Sequence, residues 1–143
     1  MKKSESQDIA DFYAKIGEMV HNVPGHLSEK KLDERIVFIE EEFMEFRDAA
    51  GAQDLEQMAD ALIDMVYVIK GTALMLGLPW ERLWDEVHRA NMAKEPGSVK
   101  GRMRRDAIKP PHWKPPQLMA ILVDAGYDEE IAKYEGNHRD DEL

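Results

Sequence analysis

The sequence predicts an all-α fold, a four-helix bundle with an extended C-terminal arm. Three observations carry that expectation. Apolar residues recur at three- and four-residue steps as far as about residue 94, no stretch alternates as a half-buried strand would, and short Gly-, Pro- or Asp-containing breaks separate the periodic segments. At 143 residues the chain can build one core but not two, so a single domain over 1–143 is expected, with its core at about 8–94 and its arm at about 95–143.

A first helix is expected over about 8–20, with Ile9, Phe12, Ile16, Met19 and Val20 on one side. Pro24 and Gly25 break the chain within 21–28. The second helix, about 29–50, carries Leu32, Ile36, Ile39, Phe43 and Phe46 on one stripe, and Gly51 stands where a C-terminal cap belongs. Asp54 can cap a third helix, which runs through Leu55, Met58, Leu62, Val66, Ile69 and Ala73 to about Leu76 and ends at Gly77. Pro79 opens the fourth from a first-turn position, with Trp80, Leu83, Trp84, Val87, Ala90 and Asn91 as its stripe and its end near Lys94. Beyond it Lys100, Arg102, Arg104, Arg105, Lys109 and Lys114 face only Glu95 and Asp106, and prolines recur at 110, 111, 115 and 116, the texture of an extended basic arm. A short helix over 117–124 and another over 128–134 complete the expectation.

Composition narrows the function. The net charge of -10 argues against a broad nucleic-acid footprint or an anionic membrane surface, both of which need clustered Lys and Arg. The absence of cysteine removes a disulfide framework, a thiolate zinc site and a cysteine nucleophile. Lys2 and Lys3 lead into a polar, acidic stretch instead of the apolar core of a signal peptide, and no apolar run approaches the ~20 residues of a membrane span. A cytoplasmic protein with neither nucleic-acid nor membrane partners is therefore expected.

The chemistry concentrates in carboxylates. On the second helix Glu41, Glu42 and Glu45 fall within roughly 100° of one another. On the third, Asp60 and Asp64 stand at i and i+4 inside an apolar run, a costly place for charge. An acidic run alone reads as a solvated helix face. Two opposed acidic faces repel and raise one another's pKa unless a cation sits among them, and oxygen-only ligands select hard ions, Mg²⁺ or Mn²⁺. A ferritin-like diiron site would need two Glu-x-x-His pairs, which the sequence lacks, and His88 reads as a packed or surface histidine. There is no Gly-rich phosphate loop either.

The pattern Glu41-Glu42-x-x-Glu45 followed by Asp64-Met65-Val66-Tyr67 resembles the MazG-like all-α NTP pyrophosphohydrolases. Residues 58–94, with Lys109-Pro110 and Trp113-Lys114-Pro115-Pro116, look like the phosphoribosyl-ATP pyrophosphohydrolase-like branch; the likeness covers about 30–125. It implies a four-helix-bundle core of MazG-like type, with Glu42, Glu45 and Asp64 as metal ligands and Glu41 as a further ligand or the base that activates water. The family's second motif is usually Glu-x-x-Asp, whereas Ala61 precedes Asp64 here, and Asp60, one turn before Asp64, is expected to substitute.

The reaction implied is hydrolysis of a (d)NTP to the monophosphate and pyrophosphate for nucleotide-pool control, dUTP or dGTP/GTP being the first substrates to try, with two or three Mg²⁺ or Mn²⁺ ions. Asn91 and Lys94 at the end of the fourth helix are candidate phosphate or sugar contacts, Lys109 is read as a phosphate contact, and Arg102 and Arg105 stand in the same arm. Phe12, Phe38 or Trp84 would build the base pocket, and the likeness implies a homodimer or homotetramer. The alternatives are a non-catalytic acidic module that binds metal or a partner, and true phosphoribosyl-ATP hydrolysis.

Overall fold

The computed structural model describes residues 3–98, 105–128 and 130. Of the expected arm, Lys100, Arg102 and Arg104 lie outside the described residues, as does most of the expected helix over 128–134. Helix α1 (Glu5–Ile16) begins earlier than periodicity suggests because Ser4 caps it, its Oγ accepting from the Gln7 amide at 3.2 Å. It stops at Ile16 because Gly17 turns left-handed at φ 77° and returns its N–H to the helix, so Met19 and Val20 lie past the end.

Helix α2 (Glu29–Gly51) is capped by Ser28, and α3 (Leu55–Met75) by Asp54, whose carboxylate accepts from the Gln57 amide at 3.1 Å. Gly51 is the last helical residue and not the cap. Gln53 takes the left-handed turn instead, at φ 54°. Gly77 ends α3 as expected, at φ 68°, and a Cβ there would run into the Val23 carbonyl, so both conformation and space require glycine. Helix α4 (Trp80–Met92) follows Pro79, which lies just outside its first turn.

The arm departs from expectation. β1 (Glu95–Ser98) and β2 (Arg105–Ile108) pair as an antiparallel hairpin with Glu95 opposite Ile108. Four residues a side, one of them Pro96, show no period-2 signal, so this pairing was invisible to pattern reading. Helix α5 (Leu118–Asp124) then packs on α4.

Helices α2 and α3 form a long antiparallel hairpin, and α1 lies on α3. Ile9, Tyr13 and Met75 make the buried cluster, with Val20, Leu27, Tyr67 and Leu74 packed around it. Beside it Arg35 is buried, its Nε donating to Thr72 Oγ1 at 3.0 Å and its Nη2 to Tyr13 Oη at 2.6 Å and the Val68 carbonyl at 3.1 Å. At the Gly77 turn α4 leaves the hairpin, its axis turned 114° from that of α3. The angle opens a groove of about 740 Å³ walled by Ile63, Val66 and Tyr67 on one side and Trp80 and Trp84 on the other. Several residues expected in the core remain exposed in the single chain: Val66 and Trp84, which line the groove, are about half and 62% exposed, and Phe43 and Leu62, which do not, are about half exposed. Among the described residues no single helix is long and apolar enough to cross a membrane.

Candidate active site

The antiparallel α2–α3 pairing brings the two acidic faces together. Oxygens of Glu42, Glu45 and Asp64 lie within 4.8 Å of one another. Glu42 is half-buried, and its Oε2 is shielded from solvent with no hydrogen-bond partner among the described residues. Burial pushes the Glu42 carboxyl above the ordinary range, and the charges of Glu45, Asp64 and Asp60 push it further. Asp64 is raised in the same way, by burial first and then by Asp60 and Glu45.

A shielded carboxylate oxygen without a donor, held among other carboxylates, is what a divalent cation relieves. The donor set is oxygen only, which suits a hard ion such as Mg²⁺ or Mn²⁺. Asp60 is exposed and stands outside this close group of three, near enough to act on both Glu42 and Asp64 through its charge. Glu41 is exposed one residue before Glu42 and is likewise not among the three.

Two turns before Glu42 on the same face of α2, about 10 Å along the helix axis, stands Arg35, whose buried guanidinium lies 5.4 Å from the Phe38 ring centre. Sequence reading passed over Arg35, since one Arg in a charged helix carries no signal. Of the aromatic residues expected around the base, Phe12 meets Tyr67 edge to face at 5.6 Å, Phe38 lies over Arg35, and Trp84 faces the groove. Of the three, only Trp84 lines the groove between α3 and α4.

The expected phosphate contacts gather elsewhere. Lys94 Nζ donates to Asn91 Oδ1 at 3.0 Å and lies 5.6 Å from the centre of the Trp113 ring, and Lys109 Nζ lies 4.9 Å from the same ring. Arg105 opens β2, and Arg102 lies outside the described residues. With 1.5 Å of rise per residue, the α3–α4 angle of 114° leaves Asn91 roughly 20 Å from Asp64 within one chain.

A comparison with curated proteins finds no match. The family model for phosphoribosyl-ATP pyrophosphohydrolase matches residues 9–91, more than half of the chain, and takes in both acidic helices and α4 as far as Asn91. The MazG-like enzymes that include this family are typically dependent on divalent metals, in keeping with the clustered Glu42, Glu45 and Asp64. The all-helical hairpin, its facing carboxylates and this match together make the chain a member of the phosphoribosyl-ATP pyrophosphohydrolase family within the MazG-like superfamily, a pyrophosphohydrolase acting on phosphoric anhydride bonds.

Proposed function

We propose that the protein hydrolyses a nucleoside triphosphate to its monophosphate and pyrophosphate, with Glu42, Glu45 and Asp64 holding Mg²⁺ or Mn²⁺ and Asp60 standing in for the glutamate missing at Ala61. The observation that carries this reading is the shielded, partnerless Glu42 Oε2 within 4.8 Å of the Glu45 and Asp64 oxygens. The cation, when bound, supplies neutralising charge to the phosphate oxygens and acidifies water.

Glu41, exposed beside the cluster, takes the proton as a water oxygen attacks the α-phosphorus. The bond from that phosphorus to the bridging oxygen breaks, and pyrophosphate leaves with the electron pair. Asn91, Lys94 and Lys109, with Arg102 and Arg105 of the arm, offset the charge on the departing phosphates. Because Asn91 stands roughly 20 Å from Asp64 in its own chain, these contacts are best supplied by a second copy. The exposed Phe43, Leu62, Val66 and Trp84 support a homodimer or homotetramer that covers them.

The family match favours a second substrate of the same chemistry, phosphoribosyl-ATP, which also releases pyrophosphate. The basic, proline-rich arm from about residue 95 is the reason for placing nucleotide-pool control first. Pyrophosphate release should be followed over a panel containing dUTP, dGTP, GTP, the other NTPs and dNTPs, and phosphoribosyl-ATP, with Mg²⁺ or Mn²⁺. Selective turnover is expected, abolished by EDTA and lowered at least a hundredfold by Asp64→Asn. A folded wild-type protein that binds Mg²⁺ and turns over no member of the panel would sink the hydrolase reading in favour of a binding module.

A further inference from the structure

The hairpin register makes an unusual demand. Glu95 opposite Ile108 brings Lys94 and Lys109, the residues just outside each strand, to the same open end. Like charges facing one another across a strand pair are destabilising, yet in a chain of net charge -10 neither ammonium has a carboxylate partner among the described residues. Both lie instead against one indole, at 5.6 and 4.9 Å from its centre.

The indole is held there by a built turn. The Trp113 amide donates to the Pro110 carbonyl at 3.1 Å, Pro111 takes the following position, and His112 adopts φ 68°, the left-handed conformation of a type II turn, unfavourable for a residue other than glycine or asparagine. Trp113 Nε1 then donates to the Ala90 carbonyl at 2.8 Å, fastening the ring to the end of α4. Arg89 adds bonds to the Lys114 and Pro115 carbonyls, and Glu86 accepts from the Gln117 amide at 3.0 Å. Backbone in a disfavoured conformation, closed over two cations that repel, is an arrangement that an anion completes.

We propose that Trp113 is a positioning residue that gathers Lys94 and Lys109, with Asn91 beside them, into one receptor for a polyphosphate anion, the pyrophosphate portion of the substrate. The inference rests on the pyrophosphohydrolase reading for the identity of the anion. Trp113 and both lysines lie beyond the residues that the family match covers.

The test uses the full chain and two readouts. The first is calorimetric titration with inorganic pyrophosphate in EDTA, where the acidic cluster holds no cation. Wild type should bind, with Lys109→Gln and Trp113→Leu each about tenfold weaker and Trp113→Phe within about threefold, since phenylalanine keeps a ring face for the cations. Phenylalanine and leucine both lack the indole N–H to Ala90, so equal losses in the two would assign Trp113 to fastening the arm alone and overturn the proposal. Unaltered binding in Lys109→Gln, or no binding by wild type, would overturn it as well.

The second readout is turnover with the best triphosphate. Trp113→Leu should raise KM about tenfold with kcat changed much less, and Trp113→Phe should restore KM. A KM unmoved by Trp113→Leu would overturn the receptor while the hydrolase stands. If wild type turns over nothing, the hydrolase reading fails and the pyrophosphate titration alone decides the receptor.

Discussion

Replacing Glu42 by glutamine should make the metal-free protein more stable while removing its activity. Glu42 Oε2 is shielded and without a donor, within 4.8 Å of oxygens from Glu45 and Asp64. A buried acceptor with no partner costs about 1–3 kcal/mol. Two unit charges 4.8 Å apart repel by about 0.9 kcal/mol even at the dielectric constant of water. Glutamine removes the charge and brings an N–H that can donate to the neighbouring carboxylates. After allowance for screening at this half-open site, Glu42→Gln should gain about 1–2 kcal/mol, a rise in Tm of roughly 3–8 °C for a chain of this length.

The pH dependence has a definite sign. Glu42 and Asp64 are raised above their unfolded values of 4.5 and 3.8, by burial first and by neighbouring acids second. The folded state thus holds these protons more tightly than the unfolded chain does. Their contribution is fully present below the unfolded values and is lost as pH rises through the raised folded ones. Wild type in EDTA should therefore melt higher at mildly acidic pH than at neutral pH, and Glu42→Gln should flatten that slope. Mg²⁺ should reverse the order at neutral pH by stabilising wild type more than the variant. Thermal unfolding followed by circular dichroism in EDTA and in Mg²⁺ measures all of this. A lower Tm for Glu42→Gln in EDTA, or an equal Mg²⁺ gain in both proteins, would refute the reasoning.

Two further expectations concern the scaffold. Arg35→Met removes three hydrogen bonds from a buried guanidinium and leaves Tyr13 Oη and Thr72 Oγ1 without that donor; urea denaturation should show a loss of about 3 kcal/mol. A loss below about 1 kcal/mol would mean that the aliphatic replacement packs as well as the network it removes. Glu86 is held down to about 2 by hydrogen bonds from Arg89 and from the Gln117 amide. That contact is fully present above the ordinary value of 4.5 and is lost as pH falls toward about 2, so the Gln117 amide resonance should titrate near 2. A midpoint at 4.5 would show that the Gln117 amide does not engage Glu86 in solution.

The acidic centre was legible because helical geometry converts spacing into position. Glu42 and Glu45 had to share a face of one helix, Asp64 interrupted an apolar run on the next, and a three-residue link left little choice but an antiparallel pair. The cap at Asp54 and the stop at Gly77 are likewise local chemistry. Asp60 and Glu41 were harder to rank, since a helical wheel does not show which carboxylates the facing helix approaches.

The sequence by itself determined the helical class, the hairpin of acidic helices, the oxygen-only donor set and the family resemblance, because each depends on residues close along the chain. Tertiary structure alone decided that Arg35 is buried against Tyr13, Thr72 and Val68, and that α4 turns 114° away at Gly77, leaving Trp84 exposed. It also decided that Lys94, Lys109 and Trp113 meet. Those contacts join segments distant in sequence, and two four-residue strands too short to show a period brought the lysines to one end. Periodicity reports which side of an element is apolar; only the packed chain fixes what stands opposite it.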